Sequence, residues 1–152
     1  MMKGWMKMAK IKPEYAELPE LIEILTKLLD LYPDIFPNID PDTIAAIQIT
    51  NKPRPESKKQ VWELRPVGPP VTIFCPKRYF VTVYTSDWEV FSEEHKAAVV
   101  ADVLLSISPD DDGKVVPFDK KDHSIILRTL GVDYMNEGSI PNLLEGNVTW
   151  KN

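Results

Sequence analysis

The stretch FSEEHKAAVVADVLLSI, from Phe91 to Ile107, is the segment around which the rest of the chain is organised. Ser92 is a favourable N-cap, and Glu93 and Glu94 place negative charge in the first turn, where the helix dipole stabilises it. From residue 97 onward almost every residue is apolar, so the helix has no polar face to turn towards solvent. Because the run is too short to cross a bilayer, it predicts a buried core helix.

Two polar residues interrupt this predicted helix. Asp102 and Ser106 are four residues apart and therefore share one helical face, and His95 lies close to the same line. A buried carboxylate is costly unless it is paired or faces a cleft. We therefore expect a polar partner or a cleft opposite Asp102.

The composition limits the chain to one domain with a substantial core. It has 152 residues, 43% of them hydrophobic, and a formal net charge of −5. This mild acidity gives no basic footprint for nucleic acid, and no apolar run is long enough to span a membrane. The single cysteine, Cys75, excludes an internal disulfide and fits a reducing compartment, so we expect a cytoplasmic protein. Lysines interrupt the methionine-rich start, which disfavours a secretion signal.

The chain divides into a basic, methionine-rich tail at residues 1–12, one domain at residues 13–131 and a C-terminal segment at residues 132–152. The first tail could be a disordered leader or an arm held by a neighbouring molecule. The last segment has no hydrophobic periodicity and is predicted to be a loop or tail.

Within the domain, apolar residues at helical spacing predict a first helix from Pro13 or Pro19 to Leu31. The run Thr43–Thr50 is ambiguous, but its β-branched end and the NKPRP loop after it favour a strand over a helix. Three further β-like runs follow, at Gln60–Arg65, Val71–Cys75 and Tyr79–Thr85. In the last of these, alternation places Phe80, Thr82 and Tyr84 on one face and Tyr79, Val81 and Val83 on the other.

A closing helix is predicted from Asp119 to Leu130. Asp119 is its N-cap, Asp122 completes a capping-box arrangement, and Gly131 ends the helix. The order of elements is thus helix, three or four short strands, buried helix, loop and helix. It predicts an α+β domain with a small antiparallel sheet and the helices on one side.

This layout resembles the small zincin-like metallopeptidase domains that are common in phage genomes. Their motif is a helical HExxH after an AAVV-type run, followed by a loop, an HD-type dipeptide and a helix that ends in glycine. Here AAVVADVLLSI resembles the helix of that motif, and PFDKKDHSIILRTLG resembles the closing helix. The resemblance covers Leu18 to Gly131 and implies a zincin-like fold and a phage origin.

The same resemblance implies a degenerate metal site. With DVLLS in the place of HExxH, Asp102 and Ser106 stand at the histidine positions and Val103 at the glutamate position. A frame shifted by one residue, ADVLL, keeps an acidic residue at the glutamate position but neither histidine. We prefer the first frame because both polar residues then fall at ligand positions, with His123 of the closing helix nearby. Zinc hydrolysis needs three ligands, an open water position and a base, so we expect no metal, no other cofactor and no catalytic residue.

A rearranged metal site is the alternative interpretation. His95, Asp102 and His123 could converge on zinc if the closing helix packs across the central one. Otherwise His95 is a surface residue, Asp102 is hydrogen-bonded to a neighbouring backbone group, and His123 is solvated. Asp110–Gly113 is predicted to be a solvated turn because it lacks the spacing of a calcium loop, and Cys75 to be a buried, inert thiol.

A protein-binding surface is predicted in the proline-braced segment Pro53–Pro76. It carries Arg54, Trp62 and Arg65, which are residue types enriched in interface hot spots, on a loop that loses little entropy on docking. We therefore expect a non-catalytic, pseudo-metallopeptidase domain in the host cytoplasm or the virion. Its partner would be a host or viral protein or further copies in an assembly, and neither nucleic acid nor membrane. The alternative function is that of a zinc-dependent peptidase or hydrolase with the rearranged site.

Overall fold

The chain folds into a four-stranded sheet with two long helices and two short ones. In this computed structural model the described residues are 12–58, 60–108, 114–116, 123–130, 134, 140–146 and 148–151. The strands are β1 (Glu14–Glu17), β2 (Ile44–Thr50), β3 (Trp62–Pro66) and β4 (Tyr79–Tyr84). The helices are α1 (Pro19–Leu31), α2 (Thr85–Trp88), α3 (Glu93–Leu105) and α4 (Ser124–Leu130). These elements confirm the predicted α+β class.

The sheet is mixed, with the strand order β1-β2-β4-β3. Strand β1 is antiparallel to β2 and β3 is antiparallel to β4, but the two central strands, β2 and β4, are parallel. The prediction of an antiparallel sheet was therefore wrong at its centre. A parallel pair needs a long crossover connection. The residues between β2 and β4 supply it and also contain β3, which pairs on the outer side of β4.

Helix α3 is buried along most of its length, as its composition predicts. The hydroxyl of Ser92 accepts a hydrogen bond from the backbone N–H of His95 at 3.2 Å and so caps the helix. Every residue from Ala97 to Leu104 is buried. The helix packs beside α1 against the inner face of the sheet, where it completes the core.

The strand β4 presents one face to these helices, and the alternation predicted from the sequence is confirmed. Buried inward-facing residues alternate with half-exposed outward-facing ones; the inward residues are Tyr79, Val81 and Val83, and the half-exposed ones are Phe80 and Thr82. Tyr84, also predicted on the outer face, is buried. The strand prediction for Thr43–Thr50 is confirmed by β2, and the prediction for Gln60–Arg65 corresponds to β3 shifted by one or two residues.

One predicted strand was wrong. The run Val71–Cys75 is not a strand, since Val71–Ile73 forms a 3-10 turn. Pro70 and Pro76, on either side of it, lack the backbone donors that a paired strand needs. Of the two starts predicted for the first helix, Pro19 is confirmed and Pro13 is excluded, because residues 14–17 pair with β2 as an edge strand.

The C-terminal segment packs on the domain although its sequence has no periodicity. Tyr134, Ile140 and Leu143 are buried in the core, and residues 143–145 form a 3-10 turn. The hydroxyl of Tyr32 donates a hydrogen bond of 2.6 Å to the carbonyl of Leu143. The Trp150 ring meets the ring of Tyr32 edge-on, with 5.4 Å between centroids. These contacts attach the segment to the C-terminal end of α1.

Some of the sequence predictions lie outside the described residues. They are the tail at residues 1–11, the turn at residues 110–113, the caps at Asp119 and Asp122, and the helix end at Gly131. Within the described part of the chain, no helix has both the length and the apolar character needed to cross a membrane.

Candidate functional site

The C-terminal half of α3 and the start of α4 carry four of the residues singled out from the sequence. Asp102 and Val103 are fully buried near the C-terminal end of α3, and Ser106 is buried just after it. His123, also buried, immediately precedes α4, and its carbonyl accepts the first backbone hydrogen bond there, from Ile126 at 3.0 Å. The structure therefore places a polar contact between two helices inside the core.

The contact itself joins Ser106 and His123. The Ser106 Oγ lies 2.9 Å from the Nε2 of His123, and it also donates to the carbonyl oxygen of Asp102 at 3.2 Å. A hydroxyl has one proton, so with that proton on the Asp102 carbonyl it can only accept from the Nε2–H of His123. In a catalytic serine the hydroxyl donates to the imidazole instead. The pair therefore has the proton arrangement of a structural hydrogen bond.

The position of Ser106 is fixed on both sides. Its hydroxyl donates a hydrogen bond to a carbonyl in the preceding turn of α3, as serine side chains in helices often do. Its carbonyl accepts a hydrogen bond of 2.7 Å from the N–H of Val116, and Ile107 pairs with Val115 in an isolated β-bridge. The returning segment 114–116 thus holds the end of α3 and directs the Ser106 side chain towards His123.

His95 does not join this group. Its Nδ1 lies 2.5 Å from the Ser92 hydroxyl, and its Nε2 lies 3.0 Å from the carbonyl oxygen of Tyr134. Because a carbonyl only accepts, Nε2 carries the proton and Nδ1 accepts from Ser92. The side chain is buried, so the prediction of a surface residue was wrong. Seven residues at 1.5 Å each also separate it from Asp102 by about 10 Å along the helix axis.

Comparison with known proteins bears on this geometry. Residues 13–145 match a protein family described as "Putative phage metallopeptidase". The chain belongs to this family. The resemblance seen in the sequence to phage metallopeptidase domains is thereby confirmed. No curated protein and no solved structure matches the chain.

The metal that a metallopeptidase family implies can be compared with the donors present in α3 and α4. Zinc in proteins is bound by histidine, cysteine or carboxylate side chains, and a catalytic site uses three of them. Ser106 offers a hydroxyl that is already hydrogen-bonded, and Val103 offers no polar atom at all. Within the described residues, no group of three or more histidine, cysteine or acidic side chains is placed to hold a metal ion. Around Ser106 the described residues supply only Asp102 and His123 as zinc-binding types, one fewer than a catalytic site uses, so they do not fit a catalytic zinc site.

The residues predicted to bind protein in this family member are placed in different environments. Trp62 is 9% exposed and packs in the core, on the face of β3 that turns inward. Arg65 is exposed and forms an ion pair with Glu63. Arg54 is held by Asp87, with 2.8 Å between Nε and Oδ2. Cys75 is half-buried rather than buried.

A groove on the outer face of the sheet adjoins one of these residues, Arg65. It has a volume of about 570 Å³, and Arg65, Phe80 and Tyr15 are among its lining residues. A hydrogen bond from Lys58 to Glu63 keeps the pKa of that carboxyl below its ordinary value, so the acid stays ionised beside Arg65. Arg54 lies outside the described lining of this groove.

A second pocket was missed by the sequence analysis. It has a volume of about 770 Å³ and lies between α1, the loop of residues 33–41 and the start of β4. Asp30, Asp40 and Arg78 are its charged lining residues, and Ser108 closes it at the end of α3. Prolines at positions 33, 37 and 41 are typical of a compact turn, but nothing local in the sequence indicates that this turn forms the wall of a pocket. Its described lining residues do not include Asp102, Val103, Ser106 or His123.

Proposed function

We propose that this chain is a non-catalytic member of the phage metallopeptidase family and acts by binding protein. The observation that carries the proposal is the hydrogen bond between Ser106 and His123. By the resemblance described above, Ser106 stands where the second histidine of HExxH would be. In this chain that position makes a hydrogen bond to the residue before α4, which is a contact between α3 and α4 that needs no metal ion.

The remaining positions support the same proposal. A zinc peptidase needs a general base beside the metal-bound water, usually a carboxylate, and Val103 has no group that could accept a proton. Val103 is also fully buried among apolar side chains, where a water molecule would have few polar partners. Val103 therefore contributes to the packing of α3 in the core.

The binding half of the proposal is supported by the surface. Large apolar side chains are exposed on the proline-rich segment, where Ile73 is 73% and Phe74 is 88% exposed. Exposed apolar groups of this size on an ordered turn are typical of interaction sites. Under this proposal the chain works in the host cytoplasm or in the virion, as a binding partner of a host or viral protein or as a subunit of an assembly.

Metal analysis of the purified protein tests the first half of the proposal. We expect protein purified without chelator to contain far less than one zinc per chain by elemental analysis, and not to cleave an unfolded protein substrate. Zinc near one equivalent, together with cleavage that a chelator abolishes, would refute it. The rearranged site of His95, Asp102 and His123 gains no support, because both ring nitrogens of His95 already have protein partners.

A further inference from the structure

The groove on the outer face of the sheet has a charge opposite in sign to that of the whole chain. Its charged lining residues are three cations and one acid: Lys52, Lys58, Arg65 and Glu63. Their formal charges add to +2, whereas the formal net charge of the chain is −5. A concave surface of one sign attracts ligands of the other sign. The groove therefore favours an anionic partner.

Glu63 holds two of these cations in place. One of its carboxylate oxygens accepts a hydrogen bond of 2.6 Å from the Nζ of Lys58, and the other forms an ion pair with the Nε of Arg65. One carboxylate balances only one of the two positive charges. The Arg65 side chain is 73% exposed, and the ion pair uses only its Nε. Its two terminal nitrogens can therefore donate to a carboxylate of a ligand.

Lys52 supplies the third cation. It is exposed in the loop after β2, and no described residue forms an ion pair with it. An anion that reaches the groove can therefore bind Lys52 without breaking a contact within the described part of the chain.

Aromatic side chains lie beside the cations. Phe80 of β4 is directly opposite Arg65 in the antiparallel β3–β4 pair, and both residues line the groove. The Cβ atoms of such cross-strand pairs are about 5 Å apart. Tyr15 of β1, which is 67% exposed, lines the same groove. This arrangement suits a ligand that has an apolar side chain next to its anionic groups.

We infer that this groove binds an acidic segment of a partner protein. An aromatic or aliphatic side chain of the segment packs on Phe80, and neighbouring carboxylates bind Arg65 and Lys52. The inference rests on the protein-binding half of the proposed function and names the chemistry of the partner. A zinc-free protein that does not bind acidic segments would overturn it and leave the non-catalytic assignment intact. Binding of acidic segments by a protein with zinc-dependent peptidase activity would do the reverse.

A nucleic acid fits the groove less well than an acidic protein segment. Its phosphates continue along the strand beyond any short site, and acidic residues border this one. Glu14 and Glu17 are exposed on β1, and Glu56 is exposed in the loop between Lys52 and Lys58. Salt screens the attraction of the cations beyond about 8 Å. A short acidic segment can place its carboxylates only where the cations are.

Fluorescence anisotropy with two synthetic peptides tests the charge of the partner. The probe is a fluorescein-labelled peptide with glutamates on both sides of one phenylalanine, and the control peptide has lysines in place of the glutamates. We expect the wild type to bind the glutamate peptide at least about tenfold more tightly, and sodium chloride to weaken this binding. Equal binding of the two peptides, or binding of neither, would overturn the inference.

Charge-removing variants test the location of the site. Arg65→Gln should weaken binding of the glutamate peptide by about tenfold and Lys52→Gln by about threefold, because each removes a cation beside the ligand. Lys27→Gln is the matched control, since Lys27 is exposed on α1 outside the described lining of the groove. Because Lys52 has no ion pair with a described residue, its replacement should not disturb folding. Losses no larger than that of Lys27→Gln would overturn the inference.

The variant Phe80→Ala tests the apolar contact. It should weaken binding of the phenylalanine-containing peptide and leave unchanged the binding of a peptide with alanine in that position, as a double-mutant cycle requires of a direct contact. The alanine peptide also reports whether the variant is folded. Equal losses for both peptides would show that the segment does not pack on Phe80.

Two further measurements test other occupants of the groove. A labelled oligothymidylate that binds more tightly than the glutamate peptide, and is weakened by Arg65→Gln, would overturn the inference in favour of a nucleic acid. Light scattering of the wild type alone tests a second copy of the chain. Self-association that the glutamate peptide and Arg65→Gln each abolish would overturn the inference in favour of that second copy.

Discussion

The Nε2 of His123 lies 2.9 Å from the Oγ of Ser106, and this hydrogen bond connects the last turn of α3 to the first residue before α4. Both residues are buried, so water cannot replace either partner when the other is removed. In a core built mainly from apolar side chains, the bond fixes how the two helices sit against each other. Its removal is therefore expected to cost more than an average surface hydrogen bond.

Replacing Ser106 tests this bond directly. Ser106→Ala leaves the imidazole N–H of His123 without its acceptor, and we expect the free energy of unfolding to fall by about 1–3 kcal/mol. Urea denaturation measures the change, and Ser57→Ala at an exposed position should stay within about 0.5 kcal/mol of the wild type. In a His123→Leu background, Ser106→Ala should cost less. An equal cost in both backgrounds would mean that the two residues are not coupled.

Restoring two histidines tests whether α3 retains the frame of a zinc helix. Asp102→His combined with Ser106→His places two imidazoles at the i, i+4 spacing, with His123 close to the second of them. Zinc bound only by the folded state adds about 2.7 kcal/mol when its free concentration is 100 times the Kd. Calorimetry should therefore show a higher melting temperature with zinc for this variant and no change for the parent. A folded variant that is indifferent to zinc would contradict the frame.

The two predicted interface residues on β3 should respond differently to truncation. Trp62 is packed in the core, so Trp62→Ala should lower the free energy of unfolding by about 3–5 kcal/mol. Arg65 is exposed and its partner Glu63 also binds Lys58, so Arg65→Gln should cost less than about 1 kcal/mol. Chemical denaturation of both variants decides this. If Trp62→Ala were as stable as the wild type, the inward orientation of Trp62 would be wrong.

The carboxylate of Glu20 should make stability depend on pH. It accepts hydrogen bonds from Lys96 at 3.0 Å and from the Trp88 indole N–H at 2.7 Å, and the bond from Lys96 is the main reason that its pKa is lowered from 4.5. A carboxyl with a lowered folded-state pKa stabilises the protein fully above its unfolded pKa. The stabilisation is lost as the pH falls through the folded value.

The variant Glu20→Gln isolates this contribution. Its deficit relative to the wild type should be greatest near neutral pH and should shrink as the pH falls below 4.5. About half of the Glu20 side chain is exposed, so the deficit should remain under about 1 kcal/mol. Denaturation of both proteins across this pH range measures it, with Glu56→Gln on an exposed loop as the control. A deficit that is constant with pH would exclude an ionic origin.

The parts of the fold that sequence could predict are those with a local cause. The Ser92 cap lies three residues from the N–H it accepts, and the alternation along β4 repeats every second residue. The parallel pairing of β2 with β4 has no such local cause, because it depends on where a long connection returns. The strand predicted at Val71–Cys75 failed for the same reason. Its β-branched residues suit a half-buried sheet, but none of the four described strands pairs with them.

In the candidate site, too, only the features with a local cause could be predicted from the sequence. The shared face of Asp102 and Ser106 follows from helical spacing, and the approach of His123 follows from the order of the two helices. The burial of His95 could not be predicted, because its partner Tyr134 is 39 residues further along the chain in a segment without periodicity. The inward orientation of Trp62 likewise depends on its pairing with Val83.

A hydrogen bond joins the two ends of the loop that exposes Ile73 and Phe74. The hydrogen bond from Val67 to Arg78 closes it where β3 leaves the sheet and β4 enters it. The residues between can therefore change in identity, or in number, while the strands keep their register. Mutation of the exposed residues Ile73 and Phe74 should change the surface of the molecule at little cost to its stability. This turn can therefore vary in sequence far more freely than the interior of the protein, which stays under strict packing constraints.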